Sequence, residues 1–316
     1  MKKKILITGG AGFIGFNILK SLYNKYDVTL IDNFSRGKFD IEIFNFVKNN
    51  KIKVIKQDLQ KKIDLKNSYE YIFHLAATVG VKNVIQNPIY TFKNNIDSLL
   101  KVIDFCKKKK DTKLIFFSTS EVYSPLIEKK IKNLFPLKES YVMQLKDKHI
   151  PRDSYYLSKL FSETILAISD INYTIYRPHN IFGPRMGMSH VIPELINKIY
   201  SKKNKKILIH SPNHKRVFCY IDEAMEQIKR SFAKKSSDKQ ILNLGSETKE
   251  ISIWNLAKMI KGISENNKKL LKGKVTLGSP TRRIPSLKKI KNISGKYPKI
   301  TFKQALMKTF EWYKKN

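Results

Sequence analysis

The stretch KILITGGAGFIG, Lys4 to Gly15, constrains this chain more than any other. Its apolar run reads as a buried strand, and the glycines that follow read as a tight turn opening a helix. Gly9, Gly12 and Gly15 are spaced three apart, and Gly10, Gly12 and Gly15 also fit G-x-G-x-x-G. Such glycines permit the turn, let the backbone approach a pyrophosphate and let the helix pack closely on the strand. The helix start then offers free N–H groups and a positive dipole end to phosphate. About twenty residues on, Asp32 ends the next strand, where a carboxylate suits the hydroxyls of an adenine-linked ribose and repels a 2′-phosphate. NAD is the cofactor this predicts. Arg36 and Lys38 lie close by and keep NADP open as the alternative.

Short β-rich runs alternate with amphipathic stretches beyond this point. Lys4–Thr8, Asp27–Asp32, Lys51–Ile55, Tyr71–Leu75, Lys113–Ser118 and Tyr173–Arg177 read as strands, with helices over Phe13–Leu22 and Pro88–Lys108. That alternation predicts an α/β fold built on a doubly wound parallel sheet covered on both faces. After Pro178 the rhythm loosens, and a smaller, irregular C-terminal substrate-binding portion is expected. The chain is expected to return to the main sheet around Val217–Ile221 and Ile241–Leu244. The nucleotide-binding domain is thus placed at 1–178 plus about 217–244, and the substrate portion at 179–216 and 245–316.

A formal net charge of +36 comes almost entirely from lysine, spread along the whole chain rather than clustered. Arginine occurs only at Arg36, Arg152, Arg177, Arg185, Arg216, Arg230, Arg282 and Arg283. This pattern argues for non-specific attraction to polyanions and against a dedicated nucleic-acid site. Cys106 and Cys219 are too few to suggest a disulfide framework or a metal site. The basic N-terminus lacks an apolar core long enough for a signal peptide, and no run approaches a membrane span. A cytoplasmic protein is expected.

Within Asp153–Lys159, Tyr155 and Lys159 stand four apart on a helix and share a face. An ammonium beside a phenol favours the phenolate, which predicts a lowered Tyr155 pKa and a general base for an alcohol. Spacing alone is weak evidence, since an exposed helical pair looks the same. Upstream, Ser118-Thr-Ser-Glu-Val-Tyr123 ends a central strand, where Thr119 can face a ligand crevice; a plain strand-end cap is the competing reading.

Taken together, TGGAGFIG, Asp58-Leu59, His74-Leu-Ala-Ala77, STSEVY, Tyr-x-x-x-Lys and Arg177-Pro-His-Asn-Ile-Phe-Gly-Pro184 appear in an order that resembles the extended short-chain dehydrogenases/reductases of the nucleotide-sugar epimerase/dehydratase group. The resemblance implies a Rossmann-type sheet, with Tyr155 as base, Lys159 as its electrostatic partner and Thr119 orienting the sugar. Ser120 and Glu121 join the implied catalytic set. Implied cofactor contacts are Gly9, Gly12, Phe13, Ile14, Gly15, Asp32, Asn33, Ser35, Arg36, Asp58, Leu59, Leu75, Ala76, Ala77, Asn95 and Ser118, with Tyr155 and Lys159. Implied substrate contacts are Thr119, Asn180, Val191, Arg216, Arg282 and Arg283, the arginines clamping a diphosphate. A homodimer through paired helices is also implied. Two departures stand out: Ser124 replaces the glycine usual after Val-Tyr, and the loop from there to Tyr155 is long.

These motifs imply oxidation of a nucleotide-diphosphate sugar at C4, followed by 4-epimerisation or release of the ketone by a 4-dehydrogenase. Ser120-Glu121 with Phe182-Gly-Pro-Arg-Met186 resembles nucleotide-glucuronate decarboxylases, the close second. A 4,6-dehydratase of this group carries Asp-Glu where this chain has Ser120-Glu121, which ranks dehydration third. A catalytically idle nucleotide-binding regulator and a polyanion binder are the non-enzyme alternatives.

Overall fold

The computed structural model describes the chain except residues 38, 62–64, 66, 110, 202–204, 266 and 277. Lys38, weighed above for NADP, is therefore outside the described residues. Strands β1 (Lys4–Thr8), β2 (Asp27–Asp32), β3 (Lys53–Lys56), β4 (Tyr71–His74), β5 (Lys113–Phe117) and β6 (Asn172–Pro178) join Gln240–Leu244 in one seven-stranded parallel sheet. Its order is Gln240–Leu244, β6, β5, β4, β1, β2, β3, so the direction of winding reverses between β1 and β4. Ligands of such sheets bind outside the carboxyl ends of the strands at that point.

Strand periodicity divides the core into two layers. Ile5 and Ile7 face one side, with Phe16, Leu19, Ala224 and Ile228; Leu6 faces the other, with Leu99, Val102 and Leu166. Helices Phe13–Leu22 and Ile221–Ser231 cover the first face, and Pro88–Lys107 and Asp153–Ile168 pack together over the second. Both faces are dry, which is why these strands are apolar without alternation.

Two sequence expectations shift. The third strand begins at Lys53 rather than Lys51, because Lys51 takes a left-handed φ of 50° just after the helix Ile41–Asn49. Val217–Ile221 does not rejoin the main sheet. Cys219–Tyr220 instead pairs with Ile181–Phe182 in a separate two-stranded ribbon, and Ile221 already opens a helix. The packing of Phe182 against Phe218 and Tyr220 holds that ribbon apart from the sheet.

Beyond the sheet, Lys215–Arg216 pairs with Ile251–Ser252 on one side and Arg282–Arg283 on the other. The long loop after Ser124 is stitched to this region. Leu137 N donates to Ile284 O at 2.7 Å, Ser286 N donates to Leu137 O at 2.8 Å, and Asn243 N donates to Glu139 Oε1 at 2.8 Å. Val122, Tyr123, Leu126, Ile127, Leu134 and Leu137 give the loop a small apolar cluster of its own.

Candidate active site

The glycine turn forms a cradle that side chains would fill. Gly9 has a φ of 69°, and a Cβ there would lie 2.7 Å from Ala76 N; one on Gly15 would lie 2.5 Å from Gly9 O. No side chain caps the helix start at Gly12, so the first-turn N–H groups are left for an anion. Phe13 and Ile14 are partly buried against the core. Asp32 accepts from Ala11 N at 2.9 Å and Phe34 N at 2.8 Å, fixing its carboxylate beside the turn. Burial raises its pKa against those backbone donors. A dinucleotide with an unphosphorylated ribose fits this arrangement.

The rest of the implied cofactor set divides in two. Asn33 accepts from Ser35 N at 3.0 Å and donates toward Asp58 at 3.5 Å, at the open edge of the groove. Leu75, Ala76 and Ala77 follow β4, where Leu75 N and Ala76 N donate back to Thr8. Leu59, Asn95 and Ser118, by contrast, are buried and occupied by protein. Leu59 packs in the second core layer. Asn95 accepts from Thr78 N at 2.6 Å and donates to Ser158 Oγ at 3.0 Å, bracing the helix that carries Tyr155. The Ser118 hydroxyl donates to Glu163.

Tyr155 and Thr119 meet at the carboxyl end of β5, where their side chains interact. Thr119 Oγ accepts from Glu121 N at 3.2 Å and so caps the short helix Ser120–Tyr123 as well. Ser120 is buried. From one turn below Tyr155, the Lys159 ammonium donates to Phe117 O at 2.9 Å and lies 4.6 Å from the Phe116 ring centroid.

The lowered tyrosine pKa inferred from spacing is not what this geometry gives. Burial, and then the Glu121 charge, push Tyr155 up to about 12, while Thr119, Arg36 and Arg283 act the other way. Burial also pulls Lys159 down to about 7, against the Glu163 charge. Desolvation outweighs the attraction because it weakens the very charge that was to lower the phenol.

Glu121 sits between two guanidiniums, 3.2 Å from Arg152 Nη2 and 3.3 Å from Arg283 Nη2. Burial alone would raise its carboxyl, but Arg283 and Arg152 hold it below the usual range. Arg283 pairs in register with Arg216 on the adjacent strand, so both point to the same side. Burial and the neighbouring Arg283 lower Arg216 to about 9. Arg282, next in sequence, is exposed and points away: it pairs with the half-buried Glu250 at 2.6 Å and stacks on Phe135. The structure thus separates the two arginines that motif reading had joined. Asn180 donates to Val217 O at 3.0 Å, and Val191 opens the helix Val191–Tyr200.

Sequence reasoning gave no role to Arg152, nor to the buried network behind the site. There Glu163 accepts from Arg177 Nε at 2.9 Å, Arg177 Nη1 donates to Tyr123 Oη at 2.8 Å, and Tyr123 donates to Asn243 at 3.0 Å. The usable signal was arginine itself. In a chain that uses lysine almost everywhere, each retained arginine marks a place for planar, multi-donor geometry.

A family model described as the NAD dependent epimerase/dehydratase family matches residues 5–245. A Bacillus cytotoxicus protein named UDP-N-acetyl-alpha-D-glucosaminuronate decarboxylase is 30% identical over 99% of this chain and 98% of its own length. A Methanocaldococcus jannaschii protein named putative UDP-glucose 4-epimerase is 29% identical over 99% of each. Among solved structures, a UDP-N-acetylglucosamine 4-epimerase from Methanobrevibacter ruminantium, in complex with UDP-N-acetylmuramic acid, superimposes with a TM-score of 0.85. Its identity is 28%, over 100% of this chain and 99% of that one.

Proposed function

The chain belongs to the NAD dependent epimerase/dehydratase family, and on that premise we propose that it oxidises a nucleotide-diphosphate sugar at C4 and acts as a 4-epimerase or 4-dehydrogenase. The observation that carries this reading is the meeting of Tyr155 and Thr119 at the carboxyl end of β5, with Lys159 beneath them. NAD, held by the glycine cradle and Asp32, supplies the acceptor for the C4 hydrogen. Tyr155 as the phenolate takes the C4 hydroxyl proton on Oη, Thr119 Oγ orients that hydroxyl, and the Lys159 ammonium offsets the phenolate charge until that proton arrives. Arg216 and Arg283, side by side on adjacent strands, suit the substrate diphosphate.

Decarboxylation of a nucleotide hexuronate is the second reading, favoured by the Arg152–Glu121–Arg283 cluster. Two guanidiniums on one carboxylate leave a net positive charge beside Tyr155, suited to an acidic sugar. The same cluster holds the Glu121 carboxyl below the usual range, and Ser120 stands where a dehydratase carries its other acid.

Product mass after incubation with nucleotide sugars tests the proposal. Unchanged mass means epimerisation, loss of two hydrogens a released ketone, and loss of carbon dioxide decarboxylation. Loss of water, or no turnover of any nucleotide sugar, would sink both readings. A cytoplasmic homodimer completes the proposal. Its interface is the helix pair Pro88–Lys107 and Asp153–Ile168, where Ile89, Leu100, Phe161 and Ile168 stand exposed. No described helix is long and apolar enough to cross a membrane.

A further inference from the structure

Two segments flank the groove above β1: the one after β2, and the one after Ile181–Phe182. They are tied to each other by side chains that cross in opposite directions. Arg185 reaches from the second segment to the first, where it pairs with Asp40 and, at 3.4 Å, with Glu42. Its guanidinium lies 4.9 Å from the ring centroid of Phe16, on the helix that the glycine turn opens. Arg36 reaches the other way. Its Nη2 lies 3.6 Å from where a Cβ on Gly187 would stand, and it interacts electrostatically with His190.

Both ends of the crossing are anchored. Gly37 lies so close to Ala11 of the glycine turn that a Cβ would come within 2.8 Å of it. Asp40 also caps the helix Ile41–Asn49, accepting from Ile43 N at 3.1 Å. On the far side, the Tyr313 hydroxyl donates to Met186 O. Arg185 holds a left-handed φ of 69°, a conformation that costs a non-glycine residue energy unless its surroundings enforce it.

From this geometry we propose that Arg185 with Asp40 and Glu42 forms a latch that governs how fast the dinucleotide leaves. The proposal rests on the family reading that NAD occupies the cradle. The guanidinium is nearly buried, whereas Asp40 and Glu42 keep side-chain exposures of 39% and 40%. Water and salt therefore reach the acidic side of the latch, and opening it requires no unfolding of the sheet. A cofactor held this way stays through many turnovers, which suits a reaction that returns the hydride over one that releases a ketone and must exchange its cofactor.

The test is the release rate of NADH from loaded protein, followed by the loss of bound NADH fluorescence on mixing with excess NAD. The Asp40→Asn/Glu42→Gln variant keeps a cap-competent side chain at position 40 and removes both charges; Arg185→Met attacks the other half. Release about tenfold faster in either variant, at an unchanged melting temperature, is the expected result. Added salt should accelerate release more from the wild type than from the variants. Wild-type release rates in the acid-neutralised variant, with Tyr155→Phe still inactive, would overturn the latch and leave the catalytic reading intact. Failure of the wild type to bind NADH at all would overturn both.

Discussion

Replacing Lys159 with Met removes a buried ammonium and keeps most of its stem. Lys159 is 3% exposed, and its ammonium donates to the backbone carbonyl of Phe117 at 2.9 Å. Burial brings its pKa from 10.5 to about 7. At about 1.36 kcal/mol per pKa unit, a fall of three to four units amounts to about 5 kcal/mol disfavouring the charged form. The sign follows from proton counting. Between pH 7 and 10.5 the unfolded chain keeps the proton and the folded one does not, so folding stability rises with pH across that window. Below pH 7 both states hold the proton, and the full penalty is present.

Every other titrating group is shared by the two proteins, so their difference isolates Lys159. NAD-free Lys159→Met should be more stable than the wild type at pH 6. That advantage should shrink by about 1.36 kcal/mol per pH unit above pH 7, or roughly 3 kcal/mol by pH 9. Urea unfolding followed by Trp254 and Trp312 fluorescence measures it. A difference that stays flat from pH 6 to pH 9 would refute a lysine titrating near neutrality. The functional stake is direct: a lysine poised there takes up its proton when negative charge forms on Tyr155, so its charge arrives with the step that needs it.

Tyr155→Phe should lower turnover by about 10²- to 10⁴-fold, the usual contribution of a general base, with NADH binding largely retained; turnover within a few-fold of wild type refutes the assigned base. Glu163→Ala strands the buried Arg177 guanidinium, now held at 2.9 and 2.5 Å, and should cost about 3–5 kcal/mol in denaturant unfolding. His74 and His179, 1% and 0% exposed, are each held to about 3, first by burial. Because the unfolded chain binds those protons from pH 6.5 downward, the stability they lend is present above 6.5 and drains away toward pH 3. His74→Gln should take about 1.36 kcal/mol per pH unit out of the acid slope of the unfolding free energy measured in urea.

Much of the fold was legible because it rests on short-range rules. Six strands appear within two residues of where apolar runs placed them, and the glycine turn lies where its spacing required. The misplaced strand start at Lys51 was decided by a helix ending just before it. The expected return at Val217–Ile221 failed because aromatic packing captured that segment for another ribbon. At the site, residue types were readable and their pairings were not. Arg282 and Arg283 look equivalent in sequence, yet strand alternation sends one toward Glu250 and the other toward Glu121.

The Tyr155–Lys159 pair shows the same division. Four-residue spacing on a helix put both on one face, as it would in any chain. Only the tertiary structure decided that both would be desolvated, so that the phenol rises and the ammonium falls. By itself the sequence determined the strand–turn–helix cradle, Asp32 at the end of β2 and the order of elements, because periodicity and glycine freedom act over a few residues. The neighbours of Glu121 and the reach of Arg185 to Asp40 depend on burial and on groups brought together from distant parts of the chain, which no local pattern encodes.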